Sequence, residues 1–265
     1  MYALSPTMKK QGTVRSRRYS YQLEWKLNET EIIEEALITI FVNGQEIITL
    51  MGSPLNLDWL ALGFLKNEGL IAGLDEVEWI RVNPSGCCVE VWLNRNFEKP
   101  ERVIITSGCG RGVTFNDSIV GIEPFVDTLR IAPEQISTAI NHLQSKNSLY
   151  ARARGVHAAG LLNPDDNQLL AVAEDIGRHN SIDKVLGACL FEEIETHGCV
   201  LLTTGRVSSE MLRKGALMGC PIIASRTSPT SLSVDMALAW KITLVGYVRR
   251  DRMQVYSYPE RLGYN

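Results

Sequence analysis

The chain has 265 residues, a formal net charge of −3 and a hydrophobic content of 45%. That length fits one large domain or two modest ones, and that apolar fraction can build a sizeable core. The small negative charge argues against a dedicated nucleic-acid binder, whose footprint is strongly basic. No apolar run reaches the roughly 18–20 residues that span a bilayer.

The first 19 residues carry Lys9, Lys10, Arg15, Arg17 and Arg18 without the apolar core of a secretory signal. They read as a flexible, solvated basic tail, with a transit peptide or an anion-binding arm as the alternatives. Next come two β-rich runs, 35–42 and 46–51. Asn43-Gly44 between them is the dipeptide of a type I′ hairpin, which needs positive φ at both central residues. Leu57, Leu60, Ala61, Phe64 and Leu65 fall at helical spacing, with Asn56 as the expected N-cap and Gly69 as the stop. Strands at 77–82 and 87–93 and a short one at 102–106 follow. This half, 20–130, reads as a smaller α+β domain with an antiparallel sheet.

The rhythm changes after residue 130. A helix at 133–145 opens on Pro133, where a missing N–H costs nothing. Strands are expected at 155–162, 168–174, 199–204, 221–225 and 242–248, with helices at 180–193, 207–218 and 231–239. Alternating strands and helices predict a three-layer α/β domain over 131–265 with a largely parallel sheet. The fold class is therefore α/β, or α+β overall.

Open α/β sheets bind ligands beyond the carboxyl ends of their strands. Three such junctions are polar here: 174–183 (EDIGRHNSID), 203–210 (TTGRVSSE) and 225–230 (SRTSPT). Each offers an arginine, Arg178, Arg206 or Arg226, beside a helix start, where unpaired N–H groups favour phosphate. Together with Ser225 they read as an anionic pocket for a phosphorylated or nucleotide ligand. Taken singly, Ser208, Ser228 and Thr230 read as plain caps. His179 is either a general base or a hydrogen-bonded histidine that orders its loop. Asp175 and Asp183 flank the same loop and in the plainest reading pair with Arg178. Arg249, Arg250 and Arg252, with Tyr247 beside them, form either a solvated turn or a further phosphate-contacting edge.

Of the six cysteines, Cys189, Cys199 and Cys220 sit in apolar contexts and belong in a core. Cys87 and Cys88 are adjacent on a strand and should face opposite ways. The absence of any C-x-x-C pair suggests a reducing cytoplasm rather than a disulfide framework. Cys109 differs: in TSGCGRGVTF it stands among glycines after an apolar strand, as a presented thiol would. No metal site is expected. The zinc deaminases use H-x-E and P-C-x-x-C. Here His157 is followed by Ala159 in the glutamate position, and no P-C-x-x-C follows, so His157 reads as a core or pocket histidine.

SPLNLDWLALGFLKNEGLI, SGCGRG, VHAAGL, EDIGRHNSIDKVLG, TTGRVSSEM, SRTSPT and LVGYVRRDRMQVYSYPERL together resemble the formate dehydrogenase accessory sulfurtransferase family, from about residue 20 onward. The resemblance implies a cytidine-deaminase-like second domain without the zinc site, a cytoplasmic location and a homodimer. It implies that sulfur is taken from a cysteine desulfurase as a persulfide. That sulfur passes to the molybdenum bis-molybdopterin guanine dinucleotide cofactor before the cofactor enters the formate dehydrogenase catalytic subunit. Cys109 matches the persulfide cysteine, and Tyr247, Val248, Arg249, Arg250, Asp251 and Arg252 align with the cofactor-binding segment. The loop departs from the family's usual Cys-Gly-x-Cys-Gly: it reads Cys109-Gly110-Arg111-Gly112-Val113, so a two-thiol relay within it is lost. Cys109 alone can still carry a persulfide, and Arg111 beside it favours the reactive thiolate. The rival reading is a cofactor-binding chaperone without chemistry; no membrane or nucleic-acid partner is expected.

Overall fold

The structure is a computed structural model and describes residues 12–22, 24–84, 87–100, 104–105, 113–114, 122–145 and 148–264. It opens on a two-stranded antiparallel ribbon, β1 (Thr13–Gln22) and β2 (Glu24–Ile33). The expected basic tail therefore gives way to a strand at Thr13. The reason is cross-strand pairing: Arg15 lies opposite Glu31 and Arg17 opposite Glu29, so these arginines face acidic partners in register. Tyr21 and Trp25 pack at 5.3 Å near the ribbon's tip. An isolated ribbon is marginal, and its base is tied down by Arg152, which donates to Glu31 and to Thr13 Oγ1.

A four-stranded sheet follows: β3 (Ala36–Val42), β4 (Gln45–Gly52), β5 (Val77–Val82) and β6 (Cys88–Leu93), in the order β4-β3-β6-β5. Asn43 and Gly44 take φ of 47° and 76°, the turn their identities predict. The sheet is mixed rather than antiparallel, because β3 and β6 run parallel. Helix α1 (Leu57–Asn67) carries the chain across before β5 and β6, and its return brings β6 alongside β3. Asn56 stands at the N-cap position but in the left-handed region without a side-chain bond, so it turns the chain rather than capping the helix. One sheet face and α1 close a core around Ile38, Ile40, Leu60, Phe64, Val89 and Val91. Two short strands, β7 (Ile104–Ile105) and β8 (Val113–Thr114), pair antiparallel. Cys109 lies between them and outside the described residues.

The second half contains α2 (Pro133–His142), α3 (Leu149–Ala153), β9 (His157–Leu162), β10 (Leu169–Asp175), α4 (Arg178–Phe191), β11 (Val200–Thr203), α5 (Ser209–Leu217), β12 (Ile222–Ser225), α6 (Ser231–Ala239), β13 (Thr243–Gly246) and β14 (Gln254–Ser257). Its sheet order is β10-β9-β11-β12-β13-β14. Only β11, β12 and β13 pair in parallel; β9 and β14 run against their neighbours, so this sheet too is mixed. The central strands are buried on both faces, as parallel strands must be. Leu201, Ile223 and Leu244 join α4, α5 and α6 in one cluster. Val200, Leu202, Ile222, Ala224 and Val245 face α2 in another. The result is the expected α/β layering, with helices on both sides of the sheet.

The two halves meet where α1 crosses α4. A Cβ placed on Gly63 would lie 1.7 Å from Asp183 O, and one on Gly187 would lie 1.8 Å from Trp59 O. Only glycine at both positions lets the two backbones approach this closely.

Candidate functional site

Strand direction assembles the site. β10, β11, β12 and β13 point the same way and end together at Asp175, Thr203, Ser225 and Gly246, while the antiparallel β9 begins there with His157. The three polar junctions expected to form a pocket thus share one sheet edge.

The first cluster sits at the start of α4. Arg178 and His179 are the first two residues of that helix. A Cβ on Gly205 would lie 2.7 Å from Arg178 Cβ and 3.4 Å from His157 Nδ1, so Gly205 leaves the space in which these side chains lie beside the end of β11. His179 Nε2 is 3.4 Å from Glu210 Oε2 without hydrogen-bond geometry. Burial, followed by the positive charge of Lys214 and Arg178, pushes the His179 pKa down to about 2. The neutral imidazole is the favoured form there, and neither the general-base reading nor the hydrogen-bonded one finds a hydrogen-bond partner for Nε2 among the described residues. His157 is lowered in the same direction by burial and by Arg178.

The second cluster joins β12 to the segment after β13. Ser225 is fully buried; its hydroxyl donates to Gly205 O at 2.6 Å and accepts the Thr227 N–H at 3.0 Å. It acts as a tether between strand ends rather than a surface contact. Arg226 Nη1 donates to Gln144 Oε1 at 2.8 Å. Arg249 Nη1 donates to Arg226 O at 2.6 Å and to Val248 O at 2.8 Å. Tyr247 is exposed with φ of 52°. Val248 is fully buried in the core and its N–H is bonded to Ser225 O, so its side chain anchors the segment. Arg250, Asp251 and Arg252 are exposed, as is Arg206. A cleft of about 310 Å³ is lined by Tyr247, Arg249, Arg252, Met253 and Gln254. Another of about 240 Å³ lies on the Pro133 side of Arg249, Arg250 and Arg252.

The helix starts divide. Ser208 and Thr230 accept the Met211 and Ser233 N–H groups, so α5 and α6 are capped by their own side chains. Helix α4 has glycine, Gly177, at its N-cap position and so no cap from that residue's side chain. There the Asp175 carboxylate accepts the N–H of Gly177, the residue at the N-cap position.

The carboxylates do not pair with Arg178 as the plainest reading had it. Asp175 pairs with Lys184 at 2.6 Å, and Asp183 with Lys214 at 2.7 Å; all four side chains are essentially inaccessible. Asn67 Nδ2 also donates to Asp183 at 2.7 Å. Burial alone would depress the Lys214 ammonium, yet Asp183, Glu210 and Glu68 together hold its pKa above the ordinary value. These lysines carry no sequence signal beyond being charged residues on helix positions that otherwise read as core.

The thiols separate by burial. Burial pushes Cys189 up to about 12 and Cys199 up to about 11, and raises Cys220 well above the usual thiol value. These three are inert core residues, as expected. Cys87 is exposed and Cys88 half-buried. Among the described residues no cluster of three His, Cys, Asp or Glu side chains is placed to hold a metal ion, and no helix is long and apolar enough to cross a membrane.

The second half is an α/β unit, a mixed sheet between helices with arginines at its strand ends. Comparison with known proteins narrows that class. The model of the FdhD/NarQ family matches residues 33–263, and the chain belongs to that family. It is 36% identical over 239 residues to the sulfur carrier protein FdhD of Staphylococcus aureus (strain MRSA252), covering 88% of this chain and 89% of the relative. It is 32% identical over 265 residues to the protein of the same description from Bacillus pumilus (strain SAFR-032), covering 98% and 99%. A crystal structure described as a formate dehydrogenase accessory protein, from Desulfotalea psychrophila, superposes with a TM-score of 0.76 at 28% identity, covering 94% of this chain and 99% of that one. The chain is thus a member of a sulfur-carrier family associated with formate dehydrogenase accessory function.

Proposed function

We propose that this protein carries sulfur as a persulfide on Cys109, taking it from a cysteine desulfurase and passing it to the molybdenum bis-molybdopterin guanine dinucleotide cofactor. The cofactor is cargo, bound before it enters the formate dehydrogenase catalytic subunit, and the carrier works as a cytoplasmic homodimer. In the loading step the Cys109 thiolate attacks the terminal sulfur of the desulfurase persulfide. A new S–S bond forms at Cys109, the donor's S–S bond breaks, and the donor cysteine leaves as a thiolate.

The observation that carries this reading is the single edge on which Arg178, Arg206, Arg226 and Arg249 lie at the strand ends. A guanine dinucleotide presents phosphates, and guanidinium groups bind phosphate bidentately. Arg249, Arg250 and Arg252 extend the same edge along the two clefts. Val248 and Ser225 support it from within.

The test is intact mass after incubation with a cysteine desulfurase and cysteine, without reductant, for wild type, Cys109→Ala and Cys87→Ala. One added sulfur in wild type and Cys87→Ala, removed by reductant and absent from Cys109→Ala, is expected. The chaperone reading is favoured by one feature, Gly112 in the place of the usual second cysteine. It predicts no added sulfur in wild type with guanosine diphosphate binding retained, and that outcome would replace the first reading.

A further inference from the structure

The loop that presents Arg178 and His179 is held from the opposite half of the molecule. Asp175 is fully buried, and its carboxylate takes four donors. Oδ1 accepts the Gly177 N–H at 2.7 Å and Asn180 Nδ2 at 2.9 Å. Oδ2 accepts the Ser53 N–H at 3.1 Å and Lys184 Nζ at 2.6 Å. Ser53, just after β4, closes the ring: its hydroxyl accepts the Ile176 N–H at 3.2 Å and its carbonyl accepts Lys184 Nζ at 3.1 Å. Asn180 Nδ2 also reaches Met51 O at 2.9 Å.

Two glycines make room for this ring. A Cβ on Gly52 would lie 3.0 Å from Asn180 Nδ2, and one on Gly177 would lie 2.9 Å from the same atom. Stability alone does not account for such a network, since a buried ion pair is often matched or bettered by well-packed apolar residues. Directionality does. Four donors on one carboxylate fix Gly177, and Arg178 and His179 are the next two residues.

We infer that Asp175, with Lys184 and Ser53, is a positioning residue of the strand-end edge, setting the direction of Arg178 and His179 by reference to β4. The inference rests on the reading of that edge as the nucleotide-binding end of the site. Its consequence is that the aim of the anion site is set by the half of the chain that also carries Cys109.

The experiment uses the full chain, guanosine diphosphate as probe, calorimetric titration, thermal melting and amide hydrogen exchange. Asp175→Asn is expected to lower the melting temperature and weaken guanosine diphosphate by about tenfold, the cost of one misaligned contact. Asp175→Asn combined with Lys184→Met removes the unpaired buried charge. It should recover the melting temperature but not the affinity. Affinity returning together with the melting temperature would reduce the network to a structural one and overturn the inference. If the paired substitution fails to fold, Ser53→Ala decides. It removes only the acceptor of the Ile176 N–H and should speed exchange of the amides at 176–180 while weakening the probe severalfold. Unchanged exchange and affinity in that variant overturn the inference. A wild type that binds no guanosine diphosphate sinks the nucleotide reading instead, and the exchange measurement then judges the positioning role by itself.

Discussion

Replacing Gly63 or Gly187 by alanine tests the seam between the two halves most directly. Both glycines lie inside helices, where alanine is ordinarily the better residue by about 1 kcal/mol. On propensity alone each substitution should therefore stabilise. The structure reverses the sign. The new methyl would sit 1.7 Å from Asp183 O in one case and 1.8 Å from Trp59 O in the other, and both obstacles are backbone. Backbone cannot rotate aside as a side chain would, so α1 and α4 must move apart. Parting them loosens the packing of Leu60, Phe64 and Ile182 and disturbs the Asp183–Lys214 pair beneath. Overpacking a core typically costs about 1–3 kcal/mol and occasionally more. A clash with unyielding backbone belongs at the upper end, leaving a net loss of about 2 kcal/mol after the propensity gain. For a chain of this size each kcal/mol shifts the midpoint by roughly 2–4 °C, so a fall of roughly 4–8 °C is expected. Thermal melting followed by circular dichroism, with urea denaturation alongside, measures it. A Gly63→Ala protein that melts at or above the wild-type temperature would refute the close crossing.

Two further outcomes follow from single groups. Asp127 pairs with Arg261 at 2.7 Å, and the hydrogen bond to that guanidinium holds its carboxyl below the usual value of 3.8. A depressed folded-state pKa stabilises fully above the unfolded value and loses that contribution as pH falls toward the folded one. Denaturation at a series of pH values should therefore show stability declining below about pH 4, and Asp127→Asn should flatten that part of the curve. An identical slope in the variant would mean that other carboxylates carry it. Native-state alkylation with iodoacetamide near pH 8, followed by peptide mass mapping, should modify Cys87 well before Cys189, Cys199 and Cys220, whose thiols burial keeps protonated. Early labelling of any of those three would contradict their place in the core.

Local chemistry in the chain was enough to announce much of this architecture. Asn43-Gly44 specifies its hairpin because few other residues accept two positive φ angles in succession. The apolar period of 57–65 makes α1, and the alternation of strands and helices after residue 130 makes the α/β half. Arg178, Arg206 and Arg226 could be placed on one edge because strands that point the same way end on the same side of a sheet. Pairing between distant segments was not announced. The parallel β3–β6 contact and the antiparallel β9 and β14 depend on how connections cross, which no local propensity encodes. The ribbon at Thr13–Ile33 was hidden because its arginines resemble a solvated tail until Glu29 and Glu31 lie opposite them. The partners of Asp175 and Asp183 were also out of reach. A carboxylate in a sequence has many possible cations. Only the tertiary structure removes water from around it, brings one lysine within 2.6 or 2.7 Å, and so turns a plausible surface pair with Arg178 into two buried pairs, to which Ser53 and Asn67 of the other half add hydrogen bonds.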